Sequence, residues 1–238
     1  METEPQREPL AEIPLSGGQQ TPGIVRVGNT VRRFPKDNAP FVHDLLLFLE
    51  DQGFPFAPRF LGLDEQGRAI LSYLEGETWP NSGSELSDAL LEQVAKGIRC
   101  YHDATVGSPL AQGHEIVAHH ELGPHNTIFQ GERLVGFIDW DDAAPSTRLR
   151  DLANAIYNYV DVSHWSNQTA AEQARRIRLM CVAYGWDDPI ALVHDFEADL
   201  QQALRNHEQA GRTGAIKVFA EEVSWMRQRA QELRMALR

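Results

Sequence analysis

The fold is decided by residues 119–142, His119-His120-Glu121-Leu122-Gly123-Pro124-His125-Asn126-Thr127-Ile128-Phe129-Gln130-Gly131-Glu132-Arg133-Leu134-Val135-Gly136-Phe137-Ile138-Asp139-Trp140-Asp141-Asp142. The stretch reads as a polar loop closing on Asn126, a short apolar strand, and then Asp139. An amide and a carboxylate that such a strand brings together offer hard oxygen ligands of the kind Mg²⁺ takes. Glu121 adds a second carboxylate inside the loop, and His119 stands at its start.

Upstream, the pattern changes to short strands. Residues 24–27 and 30–34 are two β-branched runs joined by Gly28-Asn29, a two-residue hairpin signal. Residues 58–63 and 69–74 read as two more strands around an Asp-Glu-Gln-Gly turn. Between the pairs, residues 40–52 place Phe41, Leu45, Phe48 and Leu49 at helical spacing, and Gly53 stops the helix. With a first strand near residue 13, the order is three strands, a helix and two strands. Gly17, Gly18 and Gly23 flank a polar loop ahead of the hairpin. They suit a phosphate-covering loop and equally a plain turn.

Residues 75–84 shift to Gly, Pro, Asn and Ser and read as a linker. Beyond it the chain is mostly helical: 87–103 behind a Ser cap, then 151–160, 168–184, 188–209 and 213–237, with Gly185 and Gly211 as stop signals. The division expected is a polar tail over 1–12, a small antiparallel lobe over 13–74, a hinge over 75–84 and a helical lobe over 85–238. The fold class is α+β.

Composition narrows the function. The chain has 238 residues, 42% hydrophobic and 24% charged, which suffices for one large core or two lobes. A net charge of −12 argues against a nucleic-acid partner, which needs a basic face. It would suit a cationic small molecule or merely keep the protein soluble. No apolar run approaches membrane-spanning length, and the first residues lack a signal-peptide pattern, so the expectation is a cytoplasmic protein with no membrane partner. Cys100 and Cys181 are then expected to be buried thiols. Nothing in the sequence fixes an oligomeric state.

His119, Leu122 and Asn126 match the kinase catalytic loop H-R-D-L-x-x-x-N in spacing. Leu71-Ser72-Tyr73-Leu74-Glu75-Gly76-Glu77, Phe137-Ile138-Asp139-Trp140 and Asp151-Leu152-Ala153 follow the same order of parts. Over roughly residues 13–160 the chain resembles the protein-kinase-like fold and, within it, the aminoglycoside phosphotransferase family of bacterial small-molecule kinases. The resemblance implies two lobes, a nucleotide (ATP or GTP) and Mg²⁺ between them, and a small-molecule hydroxyl as phosphoryl acceptor. It puts Glu121 in the place of the catalytic base, Asn126 and Asp139 at the metal positions, and His119 as the brace of the loop. Asp151 would steady the helix behind the loop, and Ser72, Tyr73 and Leu74 would lie along the adenine.

Three departures accompany the resemblance. Glu121 stands where an aspartate is usual, so a working base and a catalytically impaired nucleotide-binding protein are both compatible with the sequence. The strand lysine that holds phosphates is missing. In the hairpin register Val25, Val27, Thr30 and Arg32 share a face, and this makes Arg32 the expected phosphate ligand, with Arg33 as the alternative. The helix residue that would pair with that cation is open among Glu50, His43 and Asp44. A zinc reading of His119, His120, His125 and Asp139 is weaker, because the spacing matches no hydrolase motif.

Overall fold

A computed structural model describes residues 11–15, 23–79 and 85–238. The first half is a five-stranded antiparallel sheet: β1 (Glu12–Pro14), β2 (Val25–Val27) and β3 (Thr30–Arg33), then β4 (Phe60–Leu63) and β5 (Ala69–Ser72), in the order β1-β2-β3-β5-β4. Helix α1 (Ala39–Asp51) connects the two groups and buries Val42, Leu45, Leu46 and Leu49. The hairpin register is the expected one, Val25 opposite Arg32 and Val27 opposite Thr30. Gly28 supplies the positive φ of 60° at the turn.

The linker holds more structure than its composition suggests. β6 (Glu77–Thr78) pairs with β8 (Thr127–Gln130), which pairs in turn with β9 (Arg133–Phe137). The expected single apolar strand is therefore a hairpin turning at Gly131 and Glu132. Gly76, at φ 145°, lies so close to Phe129 that a Cβ would run into the Phe129 carbonyl. Only glycine lets the hinge cross the hairpin there. Residues 80–84 lie outside the described residues.

The second half is built on α2 (Asp88–Thr105), whose Leu90, Leu91, Val94, Ala95, Ile98 and Tyr101 are fully buried. Strands β7 (Ile116–Ala118) and β10 (Ala144–Ser146) pair on either side of the β8–β9 hairpin. Then follow α3 (Arg148–Val160), α4 (Ala170–Tyr184), α5 (Pro189–Gln209) and α6 (Thr213–Leu237). Ser87, Thr147, Thr169 and Asp188 each accept a backbone N–H at a helix start, and Gly185 ends α4 at φ 84°. These local signals explain why the helices fall within a few residues of their expected limits. The structure is α+β, an antiparallel sheet lobe on a mainly helical one. Cys181 is buried as expected, but Cys100 is exposed and both thiols are free: Cys100 lies on the outer side of α2, away from the apolar stripe.

Candidate active site

The loop from His119 to Asn126 is suspended from one carboxylate. Asp151, in the first turn of α3 and fully buried, accepts the N–H of His119 at 3.0 Å and that of His120 at 2.8 Å. His102 of α2 adds a third contact, Nε2 to Asp151 at 3.0 Å, and its Nδ1 meets the Tyr184 hydroxyl at 2.7 Å. Burial alone would raise the Asp151 pKa. The hydrogen bonds from His102 and the His119 backbone outweigh it and hold the carboxyl at about 2. His120 takes φ 67° so that both amides reach the same carboxylate. Farther along, Asn158 of α3 donates to the Leu122 carbonyl at 2.9 Å.

His119 is fully buried and ties the loop to the segment carrying Asp139. Its Nε2 lies 3.1 Å from the Ile138 carbonyl, which can only accept, so Nε2 carries the proton. Nδ1 is then the acceptor for the Glu121 N–H at 3.4 Å. Both ring nitrogens are thereby committed, which removes His119 from a zinc site. Burial holds its pKa down, consistent with a neutral ring. Trp140 packs on it with ring centroids 4.6 Å apart.

Asn126 ends a single 3-10 turn from Pro124, and its backbone carbonyl accepts the Ile138 N–H at 2.9 Å. This places Asn126 beside Asp139 across the base of the β8–β9 hairpin. The Asn126 amide nitrogen donates to the Glu121 carbonyl at 3.0 Å, so its oxygen is the atom left to act as a ligand. Asp139 sits at φ 60°, a left-handed conformation that aspartate tolerates better than most residues, and its side chain is 36% exposed. These donors fit Mg²⁺, which takes one or two protein oxygens and fills its octahedron with water and phosphate. Among the described residues no group of three or more His, Cys, Asp or Glu forms a metal cage; a magnesium sharing its ligands with a phosphate-bearing substrate would need none. Glu121 is half-buried, and burial together with Asp142 and Asp139 pushes its pKa up to about 7. A cavity of about 510 Å³ lies between Asn38 and Phe41 of the sheet lobe and Gln112, Asp141, Asp142 and residues 143–145; Glu121, Asn126 and Asp139 do not line it.

The sheet lobe presents the opposite face from the one expected. Arg32 turns away, with Nη1 on the Thr30 hydroxyl at 2.5 Å and Nε 3.9 Å from Asp64, in a network that continues to Arg68 and Glu12. Arg33 reaches across to the helical lobe, 3.5 Å from Asp139 and ion-paired to Asp141. Arg26, Val31, Arg33, Ala69 and Leu71 share that inner face by register. The face that reads as apolar in the sequence, Val25, Val27, Thr30 and Arg32, lies opposite the one that carries Arg33. Arg33, the alternative, is the arginine the structure turns toward Asp139.

Along the hinge, Ser72 donates its N–H to the Arg59 carbonyl and Tyr73 to the Asn29 carbonyl, both at 2.9 Å. These donors are spent within the sheet, so the edge of a base would meet the chain from Leu74 onward. The Leu74 side chain lies on Gly136 of β9. The Tyr73 ring is covered by the Arg26 guanidinium at 3.9 Å. Gly17 and Gly18 lie outside the described residues.

Three contributors carried no sequence signal. His102 and Asn158 are isolated polar residues on helices, and Lys36, 2.8 Å from Asp141, lies outside any strand. Only the acid-rich run Asp139-Trp140-Asp141-Asp142 hinted that cations would be needed opposite it.

Comparison with known proteins agrees with this geometry. The model of the phosphotransferase enzyme family matches residues 99–189, from α2 to the start of α5. The trifolitoxin immunity protein of Rhizobium leguminosarum bv. trifolii is 30% identical, over 95% of this chain and 98% of its own. The GDP complex of wild-type aminoglycoside 2'-phosphotransferase-IIIa superposes with a TM-score of 0.60 at 14% identity, covering 93% of this chain and 94% of that one. ADP-bound aminoglycoside phosphotransferase APH(2'')-Ib gives 0.60 at 14% identity, covering 96% of each chain. Macrolide 2'-phosphotransferase MphH from Brachybacterium faecium gives 0.58 at 13%, covering 84% and 86%. At such identities these structures establish a shared fold.

Proposed function

The chain belongs to the phosphotransferase enzyme family, and from that premise we propose that it moves the terminal phosphoryl group of ATP or GTP to a hydroxyl of a small acceptor in the cytoplasm. The observation that carries this reading is the convergence of Glu121, Asn126 and Asp139 at one edge of the β8–β9 hairpin with Arg33 reaching over from the sheet lobe. Asn126 and Asp139 are the residues that would hold Mg²⁺, which when bound neutralises phosphate charge. Arg33, and Lys36 beside it, contact the phosphates. Glu121 orients the acceptor hydroxyl and takes its proton as the acceptor oxygen forms its bond to phosphorus and the bond to the nucleoside diphosphate breaks. A base poised near the working pH suits that role. Such chemistry rests mainly on positioning and charge, so one extra methylene in the base is tolerable.

The acceptor belongs to the antibiotic-like small molecules. The relatives named for aminoglycosides, a macrolide and trifolitoxin immunity support this. Glu121 and Arg33 in place of the usual aspartate and lysine favour a second reading, a nucleotide-binding protein without turnover.

The test is calorimetric binding of Mg-ATP and Mg-GTP to wild type and Asp139→Ala, followed by a mass-spectrometric screen for phosphorylated alcohols. Mg-dependent binding lost in the variant, with circular dichroism unchanged, is expected. Unchanged affinity would move the site elsewhere. Binding without turnover on any acceptor would leave the second reading.

A further inference from the structure

The cation facing Asp139 needs a carboxylate to hold it, and α1 does not supply one. Of its acids, Glu50 pairs with Arg59 at 3.4 Å, Asp51 accepts from Gln52 at 3.3 Å, and Asp44 is exposed. His43 stacks on Phe60 with centroids 3.9 Å apart. The counter-charge comes from the other lobe. Asp141 pairs with Arg33 and also with Lys36 at 2.8 Å, with only 13% of its side chain exposed. Asn38, at the start of α1, donates to the Asp141 carbonyl at 2.9 Å and to the Ala143 carbonyl at 3.0 Å. Two side-chain cations and one amide from the sheet lobe thus grip the segment that follows Asp139.

We infer that Asp141 is a positioning residue that aims Arg33 and Lys36 at the nucleotide phosphates and, as the closer of the two carboxylates that Arg33 touches, limits its pairing with the metal carboxylate Asp139. The inference rests on the phosphotransferase reading. Its physical basis is competition. Arg33 already lies 3.5 Å from Asp139. A guanidinium released from Asp141 has that carboxylate as its nearest partner, and a full ion pair there would occupy a ligand the metal requires. Asp141 also offsets the mutual repulsion of Arg33 and Lys36, so both can stay at one place before phosphate arrives. The carboxylate that aligns the phosphate cation therefore moves with the metal segment, and alignment does not depend on the orientation of α1.

The experiment measures binding of Mg-ADP, of adenosine, and of Mg²⁺ in the presence of ADP, to wild type, Asp141→Asn, Asp141→Glu, Arg33→Ala and the double variant Arg33→Ala/Asp141→Asn. Asp141→Asn is expected to weaken Mg-ADP by about 10- to 100-fold, as for a charge-assisted contact. Adenosine affinity should be unchanged, and the Mg²⁺ concentration at half-saturation should rise. Asp141→Glu keeps the charge and should stay close to wild type. In the double variant the Mg²⁺ defect should shrink, because no guanidinium remains to capture Asp139, and the two losses should be non-additive. Asp141→Asn binding like wild type, or fully additive losses, overturns the inference while leaving the phosphotransferase reading in place. Wild type that binds no Mg-nucleotide overturns both. Should Asp141→Asn fail to fold, Lys36→Ala, Arg33→Ala and their double take its place. Additive losses there count against the inference, and coupled losses support it.

Discussion

The two sides of the cleft are held by opposite means. On the helical side a fully buried carboxylate, Asp151, satisfies two backbone amides and a histidine, and no water competes for it. On the sheet side Arg33 and Lys36 are held through ion pairs to Asp141 across the lobe boundary, with Arg33 13% exposed and Lys36 41% exposed. Buried, fully satisfied networks fix geometry, whereas ion pairs between two lobes can exchange partners when a phosphate arrives. On the proposed reading, the loop that carries the base and a metal ligand is the rigid half, and the cations that meet the nucleotide form the exchangeable half.

The contrast breaks first at Asp151. Asp151→Ala leaves three donors without an acceptor, two of them buried and the His120 N–H part-buried, at about 1–3 kcal/mol for each buried one. Chemical denaturation should show a loss of several kcal/mol. A loss below about 1 kcal/mol would mean that the loop does not depend on this anchor. The same group predicts an acid limb. Its folded pKa, about 2, lies below the ordinary 3.8. The unfolded chain therefore takes up the proton first, and the stability contributed above about pH 4 is lost as pH falls toward 2. Asp151→Ala should flatten stability against pH in that window. An unchanged acid limb would assign the acid sensitivity to other groups.

Next in size is Glu121→Gln, which keeps the shape and removes the charge. Turnover with a found acceptor should fall by roughly 10²–10⁴ while nucleotide affinity stays near wild type, if Glu121 acts on the acceptor as proposed. Glu121→Asp should retain activity. Turnover equal to wild type in the glutamine variant would take Glu121 out of the chemistry.

What the sequence made legible differs between the two halves for a physical reason. The loop is a linear object: His119, Glu121 and Asn126 are neighbours in sequence, and their spacing survives into the geometry because Asp151 and the β8–β9 hairpin hold it. The helices were legible from periodicity and from the caps at Ser87 and Gly185. A strand pattern, by contrast, tells which residues share a face but not which face is turned inward. The docking of one lobe on the other decides that, through contacts such as Arg33 to Asp139 between residues 106 apart in sequence. Hence the register of Val25 with Arg32 was readable and the orientation of Arg32 was not. β6 was hidden for a related reason: two residues become a strand only by pairing with β8. His102 and Asn158 act through single contacts to distant backbone or carboxylate, and no periodic signal announces such a residue.

The smallest expected effect separates Arg33 from Arg32, adjacent residues on opposite faces of one strand. Arg33→Ala should weaken Mg-ADP by about 1–3 kcal/mol, the range for a charge-assisted contact, and leave adenosine unaffected, since the lost contact is to phosphate. Arg32→Ala removes a 3.9 Å pairing with Asp64 and the hydrogen bond to the Thr30 hydroxyl on the opposite face. A long ion pair and one hydrogen bond contribute about 1–2 kcal/mol, so thermal stability should shift modestly and both affinities should hold. The two variants share strand, charge and length, and each serves as the other's control for damage to β3. Reversed results, with phosphate affinity lost on Arg32→Ala and kept on Arg33→Ala, would show that the sheet docks by its other face when nucleotide binds. Equal losses for Mg-ADP and adenosine in Arg33→Ala would show instead that Arg33 supports the lobe boundary without touching phosphate.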